Sequence, residues 1–590
     1  MKTHILTLAL LLPCGLSATP VPAGGTPVIA SNASATMPQT ATSKYGTLTR
    51  IQVEGQAFTE AVRCETAAHP AHPWDLQFQF KTTRKVEKGE VLWARFYART
   101  VATTTATGEG HVRAIFESSS APNEKSLTFD VTLGHEWQEY FMPFKSRDTY
   151  EPGKADSGFH LGMQEQTVEI ADFAVYTFGK NFDMKRLPRT KATYAGQAAD
   201  APWRAAADAR IEKLRKGDLT VTVTDASGQP VAGAQVAVAM KRHAFAWGSA
   251  VTVREILRQD ADGDRYRRIV EQNFTRVVFE NDLKWQSWDH PASHPKILQA
   301  ADWLLAHHLE IRGHNLIWPS WKYTPSDLKK MQDNPAAMRQ RINSHIQDEV
   351  STLKGRLVDW DVVNEPFSNN DVMKVLGDSE MIAWFKLAHR FDPAVRLTLN
   401  DYDILSAGGM NKAHQDHFEK TLRMLKDGGA PITGLGMQSH FGSTPTPPER
   451  MLSILDRYAA LGLDISITEH DIDTNDEQLQ ADFTRDFLTT VFSHPSVVAI
   501  LVWGFWEPTH WKPQAAYYRR DWSITPAGQA WLDLVTKKWW TNAALATAAD
   551  GTARTRGFLG DYEITVTHHG VTKTVPAKVT HAGTMIAVKL

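Results

Sequence analysis

Val358-Asp-Trp-Asp-Val-Val-Asn-Glu-Pro366 decides how the rest of the chain is read. It is a short β-branched run that ends in an amide, a carboxylate and a proline, so it reads as a buried strand whose last residues carry chemistry. Seven further runs share the plan: Ala244–Trp247, Thr275–Phe279, Glu310–Arg312, Arg396–Leu399, Gly434–Met437, Asp464–Thr468 and Ala499–Trp503. Longer helical stretches separate them, the signature of parallel βα units. Eight units within 244–540 predict a (β/α)8 TIM barrel, with an open doubly wound sheet as the competing layout. The residues after each run favour the barrel: Glu280-Asn281, His314-Asn315, Asn364-Glu365, Asn400-Asp401-Tyr402, Gln438-Ser-His440, Glu469-His-Asp471 and Trp503. Polar and aromatic groups thus collect at C-terminal strand ends, where a barrel builds its active site.

The flanks differ in period. Residues 45–179 alternate with a period of two, as in Asp75-Leu-Gln-Phe-Gln-Phe80 and Val91-Leu-Trp-Ala-Arg-Phe-Tyr97, which predicts an antiparallel β-sandwich. Thr-, Pro-, Ala- and Ser-rich residues 19–44 read as a linker, as do residues 180–202. Residues 203–243 are expected to form a helix and a β-hairpin leading into the barrel, the hairpin joining Leu219–Thr224 to Val231–Met240. The C-terminal β segment, 541–590, is too small for its own core, so its strands are expected to pair with that hairpin in one flanking β unit.

Composition narrows the partners. Sixty-four Lys and Arg against 66 Asp and Glu leave the 590-residue chain near neutrality, which argues against nucleic acid or an anionic membrane as partner. Met1-Lys-Thr-His4, the apolar run Ile5–Leu16 and the small residues Ser17-Ala18 read as a signal peptide over 1–18. That implies a secreted or periplasmic protein with no membrane association after cleavage. Only Cys64 then remains, so no internal disulfide forms. Nineteen tryptophans exceed what a core needs, and indole faces suit the apolar faces of sugar rings. His307-His308 and His568-His569 lack further ligands at suitable spacing, so no metal and no cofactor is expected. The oligomeric state is not legible.

Glu365 and Glu469 are the paired strand-end carboxylates. Two such groups facing across a sugar ring hydrolyse a glycosidic bond without metal or cofactor, provided one is ionised and the other protonated. Both begin near about 4.3, so their neighbours must split them. His440 could donate to Glu469 with Asp471 behind to fix the imidazole, which makes Glu469 the nucleophile and Glu365 the acid/base.

Trp360-Asp-Val-Val-Asn-Glu-Pro366, Arg312-Gly-His-Asn-Leu-Ile-Trp318, Glu280-Asn-Asp-Leu-Lys-Trp285 and Gly436-Met-Gln-Ser-His440 resemble glycoside hydrolase family 10, the endo-β-1,4-xylanases, over about 244–536. Asn400-Asp-Tyr402, Ile467-Thr-Glu469 and Val502-Trp-Gly504 follow in the same order. The resemblance implies a retaining endo-1,4-β-xylanase whose partner is the polysaccharide xylan. It places Asn364 on the sugar 2-hydroxyl, and Glu280, Asn281 and Lys284 on the sugar two places to the glycone side. His314, Trp318, Gln438, Trp503 and Trp511 would surround the sugar beside the cleaved bond, Tyr402 would face the leaving side, and His440 with Asp471 would support the nucleophile. Two departures stand out: Trp318-Pro-Ser-Trp321 replaces the usual Trp-His-Ser-Gln, and His470 replaces the usual Leu.

Residues 45–179 also resemble the xylan-binding sandwich modules attached to such enzymes, most in Gln164-Glu-Gln-Thr-Val-Glu-Ile170. Trp74, Trp93, Trp137 and Tyr140 are candidates there for stacking on sugar, at least half of them expected in the core. The competing functions are a retaining barrel glycosidase for another β-1,4-glycan, and a sugar-binding protein without hydrolysis.

Overall fold

The computed structural model describes residues 18–31, 33–68, 70, 72–104, 108–442 and 444–590. Apart from Ala18, the expected signal peptide lies outside the described residues. The chain divides into two units, Met1–Ala195 and Gly196–Leu590.

In the first unit a seven-stranded and a four-stranded sheet make the β-sandwich. The long strands Val91–Thr103 and Gln166–Thr177 pair antiparallel with Ala98 opposite Ile170. Alternate residues Leu92, Ala94, Phe96 and Ala98 meet Val168 and Ile170 in one core with Phe116 and Phe159 of the second sheet. The expected linker over 19–44 instead holds two strands. Thr26–Ile29 pairs with Gln166–Thr177, and Thr40–Ser43 pairs with Gly46–Gln52. Val28 and Ile29 enter the core and the neighbouring strand satisfies their backbone, which local composition cannot reveal. Trp93, Trp137 and Tyr140 are buried, whereas Trp74 is 47% exposed and stacks on His72.

The second unit holds a closed barrel. Among the described residues its parallel strands are β1 (Ala246–Val251), β2 (Arg276–Phe279), β3 (Glu310–Gly313), β4 (Asp359–Asn364), β5 (Arg396–Asp401), β6 (Gly434–Met437), β7 (Asp464–Ile472) and β8 (Val497–Val502). Pairing runs β6-β5-β4-β3-β2-β1-β8-β7, and β6 with β7 closes the ring. The first strand lies later than the expected Ala244–Trp247. Gly248-Ser-Ala250 lack the bulk that marks a strand, yet all three pair with β2, and Gly248 and Ser249 also pair with β8. Tryptophans pack the base: Trp247 stacks on Trp539 at 5.3 Å, with Trp531 edge-on at 5.7 Å.

Strands from both ends of this unit form two sheets beside the barrel. Lys216–Thr224 lies between Thr552–Phe558 and Thr584–Lys589; Gln235–His243 lies between Asn542–Ala546 and Gly560–His568. The expected hairpin is therefore absent. One bridge, Thr224 to Pro230, closes the turn, and the two strands then diverge into different sheets because C-terminal strands take the partner positions on each side. The helix Pro202–Arg215 is anchored by Arg204, whose guanidinium grips Asp486 at 2.6 Å.

Candidate active site

The C-terminal strand ends converge on Glu365 and Glu469. Glu365 follows β4 with φ at +54°, a left-handed backbone that costs on the order of 1 kcal/mol in a residue with a Cβ. Its N–H donates to the Asn400 carbonyl at 2.8 Å, and its own carbonyl accepts from Asn369 at 3.1 Å. That short turn returns Asn369 to the carboxylate: Asn369 Nδ2 lies 3.0 Å from Glu365 Oε2. On the other oxygen, Gln438 Nε2 donates to Oε1 at 2.7 Å.

Glu469 sits within β7 and is buried. Asn400 Nδ2 donates to its Oε1 at 2.8 Å, and His440 Nε2 lies 3.2 Å from Oε2. The Asn400 amide also donates to Asn364 Oδ1 at 3.0 Å and accepts from Thr468 Oγ1 at 2.8 Å. Asn364 Nδ2 in turn lies 3.3 Å from Glu365 Oε1. A continuous chain of amides thus joins the two carboxylates. Gly436 leaves room for it: a Cβ there would lie 2.3 Å from Asn400 Oδ1.

The two acids are pushed in opposite directions. Burial is the largest influence on Glu365 and, with the charges of Glu469 and Asp401, raises it to about 7 against the opposing Gln438 hydrogen bond. Burial also presses Glu469 upward. There the His440 hydrogen bond, the His314 and His440 charges and the Asn400 amide prevail, and they hold Glu469 below the usual carboxylate range.

His440 belongs to a short strand, His440–Phe441, that pairs beside β7 with His440 opposite Asp471. The pairing sets His440 Nδ1 3.1 Å from Asp471 Oδ1, and Trp511 Nε1 donates to Asp471 Oδ2 at 2.6 Å. Burial disfavours charge on the imidazole, but Asp471 first and then Glu469 push it up to about 10. It is an imidazolium at neutral pH, able to donate from both nitrogens.

The remaining sequence-derived residues line the same mouth. His314 Nδ1 pairs with Asp361 at 2.8 Å, and its ring meets Trp503 edge-on at 5.1 Å. Lys284 donates to Asn281 Oδ1 at 2.8 Å and lies 5.1 Å from the Trp318 ring centre. Burial lowers the Lys284 ammonium despite Glu469, Glu280 and Glu365 nearby, and burial raises Glu280 despite Lys284. Tyr402 packs edge-on against His414 at 4.6 Å, and the Glu365 charge reaches its hydroxyl. Trp511 is 48% exposed, its ring 4.8 Å from that of His440 and 4.9 Å from the Lys512 ammonium. Asn369, Tyr323 and the bridging role of Asn400 are absent from the sequence-derived set. Asn400 is a strand-end polar residue by pattern, but nothing local tells which carboxylate its amide meets. Among the described residues, no three His, Cys, Asp or Glu gather as a possible metal site, and no helix is long and apolar enough to cross a membrane.

With that geometry in view, residues 236–533 match the pattern of glycosyl hydrolase family 10. The chain belongs to glycosyl hydrolase family 10. Among proteins of similar sequence, anti-sigma-I factor RsgI6 of Acetivibrio thermocellus is 30% identical over 388 residues, 65% of this chain and 49% of that protein. Endo-1,4-beta-xylanase 1 of Arabidopsis thaliana is 28% identical over 361 residues, 60% of this chain and 37% of that protein. The chain thus spans half or less of both relatives. Xylanase 10B of Thermotoga petrophila RKU-1, solved with xylobiose, superposes with a TM-score of 0.46 at 24% identity, covering 50% of this chain and 95% of that one.

Proposed function

We propose that this family 10 chain is an exported endo-1,4-β-xylanase that cleaves internal bonds of xylan and retains anomeric configuration. One observation carries the proposal: two carboxyls, linked by Gln438, Asn364 and Asn400, are pushed apart, Glu365 to about 7 and Glu469 below its ordinary range. Near neutrality Glu469 is ionised and attacks the anomeric carbon, while protonated Glu365 donates to the leaving oxygen. Attack consumes the Glu469 charge, which lowers Glu365, so the same group then takes a proton from the incoming water. Asn364 faces the sugar 2-hydroxyl, and Trp318, Trp503 and Trp511 offer ring faces to the sugar beside the bond. Relatives named as endo-1,4-beta-xylanases support the substrate class.

Reducing-sugar release from xylan should exceed that from carboxymethyl cellulose; the reverse order assigns a β-glucan instead. Glu469→Ala should abolish turnover, with azide restoring product of inverted configuration. Glu365→Ala should spare activated aryl glycosides, and an azide product of inverted configuration from that variant would exchange the two roles. A mature chain starting at Thr19 in N-terminal sequencing would accord with export. The regulator's name on one relative leaves a non-hydrolytic sugar-binding barrel as the second reading, and failure of every substrate would select it.

A further inference from the structure

The rings of Trp318 and Tyr323 stack with centres 3.6 Å apart and planes 12° from parallel. An ammonium flanks each end: Lys284 Nζ lies 5.1 Å from the Trp318 ring centre and Lys322 Nζ 4.8 Å from that of Tyr323. The two lysines differ in what they meet. Lys284 points into the site, bonded to Asn281 and facing Glu469, Glu280 and Glu365. Lys322 is exposed, and no carboxylate of the described residues forms an ion pair with it.

Its position is nonetheless fixed. Gln286 Nε2 donates to the Lys322 carbonyl at 3.1 Å and to the Thr324 carbonyl at 2.9 Å. Asp371 Oδ2 accepts from the Trp321 N–H at 3.1 Å, and the Ser320 carbonyl accepts from the Tyr323 and Thr324 N–H groups at 2.9 Å. The backbone is therefore pinned on both sides of an exposed cation whose side-chain partner is Tyr323 and not a carboxylate. Tyr323, stacked on Trp318 and through it next to Lys284, places this ammonium at the mouth of the site.

A linear xylose chain is neutral and offers an ammonium only hydroxyl and ring oxygens, with no charge to pair with. A chain bearing a uronic-acid branch adds a carboxylate, a charge that an ammonium held over Tyr323 can pair with. We infer that Lys322 is a specificity-determining residue for this site, favouring xylose chains that carry a uronic-acid branch by pairing with the branch carboxylate. The inference rests on the xylanase reading above.

The test compares kcat/KM of the full chain on a linear xylo-oligosaccharide, on the same chain with one methylglucuronate branch, and on one with a neutral arabinose branch. Lys322→Ala should lower the acidic-to-linear ratio by about threefold, the size of an exposed ion pair. Lys322→Glu should lower it further by repulsion, and Lys322→Arg should keep it. The arabinose-to-linear ratio should not follow the charge, and the acidic preference should shrink in roughly 0.5 M salt. Thermal melting verifies that the variants fold. Hydrolysis of the linear chain with an acidic-to-linear ratio unmoved by all three substitutions overturns the inference alone. No hydrolysis of any of the three overturns the xylanase reading and the inference with it.

Discussion

Replacing Glu365, the proposed catalytic acid, by glutamine should stabilise this protein, but only at neutral and alkaline pH. Glu365 keeps its proton to about pH 7 in the fold, against 4.5 for an ordinary glutamate. At about 1.4 kcal/mol for each pH unit, that gap makes ionising Glu365 within the folded chain cost about 3 kcal/mol. Below pH 4.5 the group is protonated whether the chain is folded or not, so the cost is absent. Between 4.5 and 7 the unfolded chain ionises while the folded chain holds its proton, and stability falls as pH rises. Above about 7 the loss is complete. Glu365→Gln has no proton to lose and escapes it. For a unit the size of Gly196–Leu590, 3 kcal/mol corresponds to about 4 °C in melting temperature. The assay is calorimetry of both proteins from pH 4 to 8.5, reading the difference between their barrel transitions, so that constant effects of the substitution cancel. The variant should gain about 4 °C on wild type across that range, with the rise centred between pH 4.5 and 7. A difference that does not change with pH, or one that changes the other way, would refute the claim that burial holds this carboxyl protonated.

Other consequences concern rate. With Glu365 as the acid, kcat/KM should fall above about pH 7, and Gln438→Ala should move that limb up by about one unit, because the lost hydrogen bond favours the ionised form. His440→Gln removes the imidazolium charge that helps hold Glu469 low, so the acid limb should move up and the rate at pH 5 should fall more than at pH 7. Gly436→Ala sets a Cβ 2.3 Å from Asn400 Oδ1 and should displace the amide from Glu469; a loss in kcat of about tenfold or more is expected, and unchanged kinetics would count against a bridging role for Asn400.

Much of the barrel was legible because its signal is local. Val358–Val363 and Asp464–Thr468 announce strands by β-branching, and the carboxylates at their ends follow from the pattern alone. Legibility failed where a partner distant in sequence decides the outcome. Thr26–Ile29 looks like linker until Val175–Thr177 lies beside it, and Lys216–Thr224 looks like one arm of a hairpin until Thr584–Lys589 arrives. The first barrel strand was misplaced because Gly248-Ser-Ala250 have little side chain to read. Within the site, the sequence identified residue types but not directions. Asn400 could face any neighbour, and only closure of the barrel turns one amide toward Glu469 and Asn364 together.

The two sheets beside the barrel have a consequence for biosynthesis. Lys216–Thr224 precedes every barrel strand, yet one of its partners is Thr584–Lys589, made hundreds of residues later. A nascent chain holding a finished barrel would still present an unpaired strand edge, the kind of surface that captures other chains. Closing that edge late carries the entropy of a very long loop. Trimming the last strand should therefore show first as aggregation during synthesis, in a protein whose Glu365 and Glu469 remain intact.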